Sequence, residues 1–226
     1  MSIDLMRVMF SLVLFGMRGV VVIWVGWWNL LQQPWWGGGR NLQVDLFVMG
    51  LCPYGLQTEK AFIPVVDLLG DDLVFSVKFC NYTVHGVNES LEQLRQYCIQ
   101  KHYPGRFMDY LECFVGGGGS VDCLSAAGIN EGRVLVCMDE LDGRYGILDD
   151  VNQRRGLPSF PLFQDDVVEY GVDSSPTLVI DGGVVSYFDR SPAALLELIC
   201  GYYDVKPSGC YHKLSSQTPR VGFNNQ

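Results

Sequence analysis

Between Val44 and Phe79 the chain changes its hydrophobic pattern twice, and this limits the available folds more than any other feature. Val44-Asp45-Leu46-Phe47-Val48-Met49 is short, apolar and β-prone, as a buried strand should be. Gly50 to Tyr54 turns the chain. A helix is then expected from about Pro53 to Leu69, stopped by Gly70 and kinked at Pro64. Leu73 to Phe79 reads as strand again. Strand, helix and strand in this order place two parallel strands side by side, joined by a right-handed crossover.

The rest of the chain arranges itself around this unit. From His85 to Tyr170 the pattern is helical and rich in cysteine. One helix is expected to begin near Asn88 with Leu91, Leu94, Tyr97 and Cys98 on one face. Others carry Phe107, Tyr110 and Leu111, then Cys123, then Val134 to Leu141, then Phe163 to Tyr170. Gly116 to Gly119 reads as a flexible loop, and no Lys-Ser/Thr follows it to make a phosphate cradle. Strand signals return at Thr177–Ile180 and Val184–Phe188, split by Asp181-Gly182-Gly183, a hairpin pattern. Ser191-Pro192 then caps a last helix through Leu195, Leu196 and Ile199. The predicted order is βαβ, a helical insertion at about 85–170, then ββα, within a folded domain at 43–210. The polar tail 211–226 is expected to be disordered. A chain of 226 residues holds one such core with an insertion.

Val8 to Leu31 is almost continuously apolar, broken by Arg18 and Asn29. A central arginine is costly in a membrane helix, by roughly 2.5–3.5 kcal/mol on insertion scales. Met17-Arg18 followed by the apolar run Gly19 to Val25 has the form of a translation start and signal sequence. Residues 1–36 are therefore read as a hydrophobic helix serving as signal peptide or signal anchor. A helix of the domain itself is the weaker alternative, because the run has no polar face. Trp24, Trp27, Trp28, Trp35 and Trp36 suit a membrane–water interface, and the lack of a small-x-small cleavage site favours an anchor. Residues 37–42, with Gly37-Gly38-Gly39, form the expected linker.

The formal net charge is -9, and the first forty residues hold Arg7, Arg18 and Arg40 against Asp4, so the body is the acidic part. An acidic body lacks the clustered cations that nucleic acid requires, so no nucleic-acid partner is expected. Among eight cysteines no two form Cys-x-x-Cys, which removes the common zinc spacings, and neither metal nor cofactor is expected. Structural disulfides are the remaining reading, and they require an extracytoplasmic, oxidising compartment.

Cys52 sits where a strand's carboxyl end meets a helix's amino end. Unpaired N–H groups and the helix dipole there favour an anion, and a thiolate is the species that attacks a disulfide. Pro53 fits the first helical turn. Ser174-Ser175-Pro176-Thr177 precedes the hairpin, and a proline at a strand entrance is either an ordinary turn or a cis peptide.

Cys52-Pro53-Tyr54-Gly55, His85-Gly86-x-x-Glu89, Gln96-Tyr97-Cys98-Ile99, Ser175-Pro176-Thr177 and the Cys200 to Cys210 ending carry a resemblance. Together they make the chain similar to DsbA-like members of the thioredoxin superfamily with a helical insertion. Within these it resembles the gamma-interferon-inducible lysosomal thiol reductase and its prokaryotic single-cysteine relatives. The resemblance spans about Val44 to Cys210. It implies an α/β thioredoxin-like fold and disulfide exchange through Cys52. Pro53, Tyr54, Gly55, Ser175, Pro176 and Thr177 would then hold a substrate strand at a cis-proline loop.

One departure matters. The lysosomal-type reductases and DsbA carry a second cysteine three residues after the first, where this chain has Gly55. Cys80 follows the second parallel strand, which brings it to the same sheet edge. It either pairs with Cys52 or staples the insertion, and sequence alone leaves both open. The other six divide into Cys113–Cys123, Cys200–Cys210 and, as the remainder, Cys98–Cys137. His85 and Glu89 are read as a helix entry rather than as part of the site. Asn81-Tyr82-Thr83 and Asn88-Glu89-Ser90 match glycan sequons, consistent with secretion. The expected function is thiol–disulfide exchange on protein or small-molecule disulfides with a thiol redox partner. The rival reading is a redox-inactive peptide-binding or structural ectodomain.

Overall fold

The computed structural model describes residues 41–149 and 158–224, together with the backbone of 15–16 and 19–20. The chain divides into two units, Met1–Gly38 and Gly39–Gln226. The signal or anchor segment lies outside the described residues except for Phe15–Gly16, which pairs antiparallel with Gly19–Val20. Those four residues are extended, where a helix was expected. Among the described residues no helix is long and apolar enough to cross a membrane.

In the second unit, β1 (Leu42–Val48), α1 (Pro53–Leu69) and β2 (Leu73–Phe79) form the expected βαβ unit. β1 therefore begins inside the stretch read as linker. β1 and β2 are parallel in register from Leu42↔Leu73 to Val48↔Phe79. The four-stranded sheet runs β2-β1-β3-β4, with β3 (Thr177–Ile180) antiparallel to β1 and β4 (Gly183–Val185) antiparallel to β3. β4 is shorter than the apolar run to Phe188 predicts. Tyr187 is 85% exposed and has no packing to hold it in a ladder.

Alternation along β1 sets the two faces of the sheet. Leu42, Val44, Leu46 and Val48 enter the main core with Leu56, Phe62 and Val65 of α1. Phe47 points to the other face, joining Cys80, Val167, Val172 and Val179 in a smaller cluster. Asp45 shares that second face and is held by Lys78 Nζ at 3.1 Å and by Ser76 Oγ at 3.0 Å. α1 continues unbroken through Pro64.

The insertion contributes α2 (Val87–His102), α3 (Phe107–Val115), α4 (Ser120–Ala126), α5 (Glu131–Tyr145) and α6 (Gln164–Tyr170). Disulfides tie α2 to α5 through Cys98–Cys137 and α3 to α4 through Cys113–Cys123. A third, Cys200–Cys210, joins the end of α7 (Pro192–Cys200) to the following turn. Each restricts the unfolded chain by about 2–4 kcal/mol in the loop-entropy picture. Three such bonds fit an oxidising compartment. The glycine loop is more constrained than its composition suggests. A Cβ on Gly118 would lie 2.6 Å from Cys123 Sγ and 2.8 Å from Cys113 Sγ, so the disulfide needs a glycine there.

The tail beyond Cys210 is ordered as far as Asn224, contrary to the expected disorder. Its polar composition is misleading because its backbone carbonyls find a buried cation. Lys60 Nζ donates to the carbonyls of Arg220 and Gly222, both at 2.6 Å, and to Asn224 Oδ1 at 3.1 Å. Gln57 Nε2 donates to Pro219 O, and Phe223 packs edge-on against Phe114. Lys60→Met should therefore destabilise the fold by about 2 kcal/mol, since charge-assisted bonds to buried carbonyls are lost. The checks are a lowered urea midpoint and faster tryptic cleavage at Arg220.

Candidate active site

Cys52 is the N-cap residue of α1, extended at φ -61 and ψ 122, with Pro53 at the first helical position. Its N–H donates to Met49 O at 2.9 Å, which closes the turn leaving β1. Cys80 directly follows β2 and extends the parallel ladder, its N–H donating to Val48 O at 3.0 Å. Both cysteines thus stand at the carboxyl edge of adjacent strands, and both are free thiols. Cys52 is 7% exposed and Cys80 is fully buried.

The segment Asp173–Thr177 lies across them, with Ser175–Pro176 in the cis form. Its three successive carbonyls each accept from a different side chain. Tyr82 hydroxyl donates to Asp173 O at 2.8 Å, Cys80 Sγ to Ser174 O at 3.6 Å, and Cys52 Sγ to Ser175 O at 3.6 Å. Consecutive carbonyls of one loop therefore receive the two sulfurs. Ser175 Oγ accepts the Met49 N–H at 2.9 Å, and Thr177 Oγ1 donates to Ser174 O at 2.8 Å.

The electrostatics of the two thiols differ in kind. Burial pushes the Cys80 thiol up to about 12, helped by the adjacent Cys52 and by Glu89, so at neutral pH Cys80 is a protonated donor. Tyr82 is raised in the same way, chiefly by burial and then by Cys80. Tyr54, next along α1, is 52% exposed. The Arg190 guanidinium lies 5.2 Å from its ring centroid and reaches Gln57 Oε1 at 3.3 Å.

Glu89 belongs to the site's support, although its sequence position suggested only a helix entry. Its side chain is fully buried. Oε1 accepts from Leu51 N at 3.0 Å and faces His85 Nδ1 at 2.7 Å, while Oε2 accepts from Val84 N at 2.8 Å and His85 N at 3.1 Å. One carboxylate thus ties the turn before Cys52 to the loop after Cys80. Glu89 follows Gly86 three residues on, which marks a helix start, but no sequence signal points to Leu51. Tyr82, Asp173 and Arg190 were likewise not evident from the sequence. Among the described residues no group of three or more His, Cys, Asp or Glu side chains is placed to hold a metal ion.

Neither a family model nor a curated protein matches the sequence. Solved structures do. The oxidised DsbA of Mycobacterium tuberculosis superposes with a TM-score of 0.52 at 19% identity, covering 75% of this chain and 86% of that one. The reduced DsbG of the same organism, described as a disulfide bond oxidoreductase, gives 0.51 at 18%, covering 75% and 81%. Oxidised BdbD of Bacillus subtilis gives 0.50 at 15%, covering 71% and 86%. The fold is thioredoxin-like, of the DsbA type.

Gly55 occupies the motif position at which the sequence departs from the resemblance, having no second thiol there. A Cβ there would meet Met49 O, Ser175 Oγ and Val48 Cβ, each at 3.3 Å. The space is tight because the Ser175 hydroxyl sits in it, bonded to Met49 N. The thiol that does lie beside Cys52 comes from the neighbouring strand.

Proposed function

We propose that the chain is a thiol–disulfide oxidoreductase in which Cys52 exchanges disulfides with a substrate and Cys80 resolves the mixed disulfide. The observation that carries this reading is the pair of free thiols held on consecutive carbonyls of one loop, while six other cysteines are bonded away. In the reducing direction, the Cys52 thiolate attacks a substrate disulfide and releases one substrate sulfur as thiolate. Cys80 then attacks Cys52 Sγ. Its proton passes to the departing second sulfur, and a Cys52–Cys80 disulfide remains. Once Cys52 is in a mixed disulfide it can no longer carry a charge, which removes one of the influences that raise the Cys80 thiol. A thiol partner then returns the pair to the reduced state, and in the oxidising direction every step reverses.

Pro53, Tyr54, Ser175, Pro176 and Thr177 frame the entrance to Cys52 and are proposed to bind the substrate strand. The likeness to single-cysteine relatives of the lysosomal thiol reductase belongs to this reading, with Cys80 in place of the motif's second thiol. So does an extracytoplasmic location, in which the apolar residues before Trp36 export the chain or tether it to a membrane. A redox-inactive peptide-binding domain is the second reading, favoured by Gly55 and by the low exposure of Cys52.

Insulin reduction separates the two. Cys52→Ser should lower the rate by more than about a hundredfold, because the other free thiol, Cys80, is fully buried and cannot take over the attack. Cys80→Ser should retain attack by Cys52 and accumulate a mixed disulfide visible by non-reducing mass spectrometry. Equal rates in the wild type and Cys52→Ser would remove the enzyme reading.

A further inference from the structure

In this structure the two thiols also occupy carbonyls of the loop that carries the cis-proline. In the dithiol state Cys52 and Cys80 each donate an S–H to that loop. A Cys52–Cys80 disulfide has no S–H, so both donations end when it forms. Ser174 O keeps the Thr177 hydroxyl, at 2.8 Å. Ser175 O keeps no other hydrogen-bond donor among the described residues. A half-buried carbonyl without a donor is unfavourable, and an extended peptide can supply its backbone N–H there, as in strand addition.

We infer that the redox state of the Cys52–Cys80 pair gates peptide binding: the disulfide form exposes Ser175 O to an incoming backbone N–H, and the dithiol form closes it. This rests on the reading of Cys52 and Cys80 as a redox pair. Its consequence is directional. The disulfide form captures an extended peptide that bears thiols and takes two electrons from it. Two substrate S–H bonds break and one substrate S–S bond forms, while the Cys52–Cys80 bond breaks and both sulfurs regain protons. The same event restores both S–H donors to the loop, so the oxidised product is displaced as it is made. Gating of this kind favours an oxidant of thiol peptides, recharged by a partner that carries a disulfide.

Other features agree with a loop built to be pinned from beneath. Tyr82 holds Asp173 O and Ser175 Oγ is bonded to Met49 N, two contacts that involve neither sulfur and so do not depend on an S–H donor. Ser174 is exposed, and Ser175 to Thr177 are half-buried, so a peptide can reach the segment without displacing the core.

The test uses the full chain and fluorescently labelled insulin B chain with both cysteines carbamidomethylated, which binds without exchanging. The dissociation constant, read by anisotropy, should be about tenfold lower for the disulfide form than for the dithiol form, the scale of one or two modest hydrogen bonds. The double variant Cys52→Ala, Cys80→Ala has no donors and should match the disulfide form in any redox buffer. The double variant Cys52→Ser, Cys80→Ser keeps O–H donors and should match the dithiol form. Equal affinities for the Ala and Ser variants, or no measurable binding by any form, overturns the gating. Peptide mapping after mild oxidation addresses the underlying reading separately. If no Cys52–Cys80 bond forms, the redox pair fails, and the Ala-against-Ser comparison still decides whether donors mask the loop. If the bond forms and affinity does not change, the gate alone fails.

Discussion

Glu89→Ala is expected to destabilise the protein by about 3–5 kcal/mol, the range for removing one member of a buried, fully hydrogen-bonded charged network. The side chain is fully buried, and both of its oxygens accept. Truncation leaves the N–H groups of Leu51, Val84 and His85 without this acceptor in a site where water does not easily replace it. For a chain of this size such a loss corresponds to a fall in melting temperature of roughly 10 °C. Activity should fall as well, because Leu51 immediately precedes Cys52, and a turn freed by even a fraction of an ångström misplaces the attacking sulfur. Glu89→Gln tests the geometry more finely. Its amide nitrogen would have to face N–H donors on one side, so it should recover only part of the stability. Thermal unfolding and insulin reduction on the same samples check both effects. An Ala variant with an unchanged melting temperature would show that the carboxylate does not hold the two loops together.

Stability should also fall as pH rises from about 5 to 8, because of Glu59. This residue lies nearly two turns into α1, which begins at Pro53, and is 1% exposed. Burial, and then the nearby Glu92 charge, raises its carboxyl from 4.5 to about 8. Among the described residues its Oε1 has no hydrogen-bond partner, and on α2 the Gln93 amide and Gln96 Oε1 are also buried without one. Below 4.5 both folded and unfolded chains hold the proton, so Glu59 adds no penalty. Between 4.5 and 8 the unfolded chain ionises while the folded one keeps its proton. Folding then costs up to about 1.4 kcal/mol more for each pH unit, until the folded group also ionises near 8. Glu59→Gln abolishes this contribution, so the variant should be less sensitive to pH across that window and more stable than wild type at pH 7.5. Urea midpoints at pH 5, 6.5 and 8 measure it, and parallel profiles for the two proteins would contradict the raised carboxyl.

Much of the frame was legible along the chain. The length and β-branched content of β1 and β2, the helix between them, and the proline after Cys52 are local signals. Each is decided by neighbours a few residues away. The N-cap at Ser191 is of the same kind, its hydroxyl accepting from Ala194 N. The loops closed by Cys113–Cys123 and Cys200–Cys210 span ten residues and could be read as short closures. Composition misled where a distant partner reversed a local tendency. The polar tail is ordered because Lys60, more than 150 positions earlier, donates to its carbonyls. The glycine loop is held because a disulfide occupies the space a Cβ would take.

The sequence by itself determined the βαβ frame, the helix start that carries Cys52, and the choice of cysteines that close short loops, because strand alternation, helix capping and loop length act over a few residues. Only the tertiary structure decided that three carbonyls of one loop receive Tyr82, Cys80 and Cys52, and that Glu89 reaches Leu51. Those contacts join residues 38 to 123 positions apart. They exist because sheet register and the packing of the insertion bring distant backbone polar groups to one edge, where each must find a partner as it leaves water.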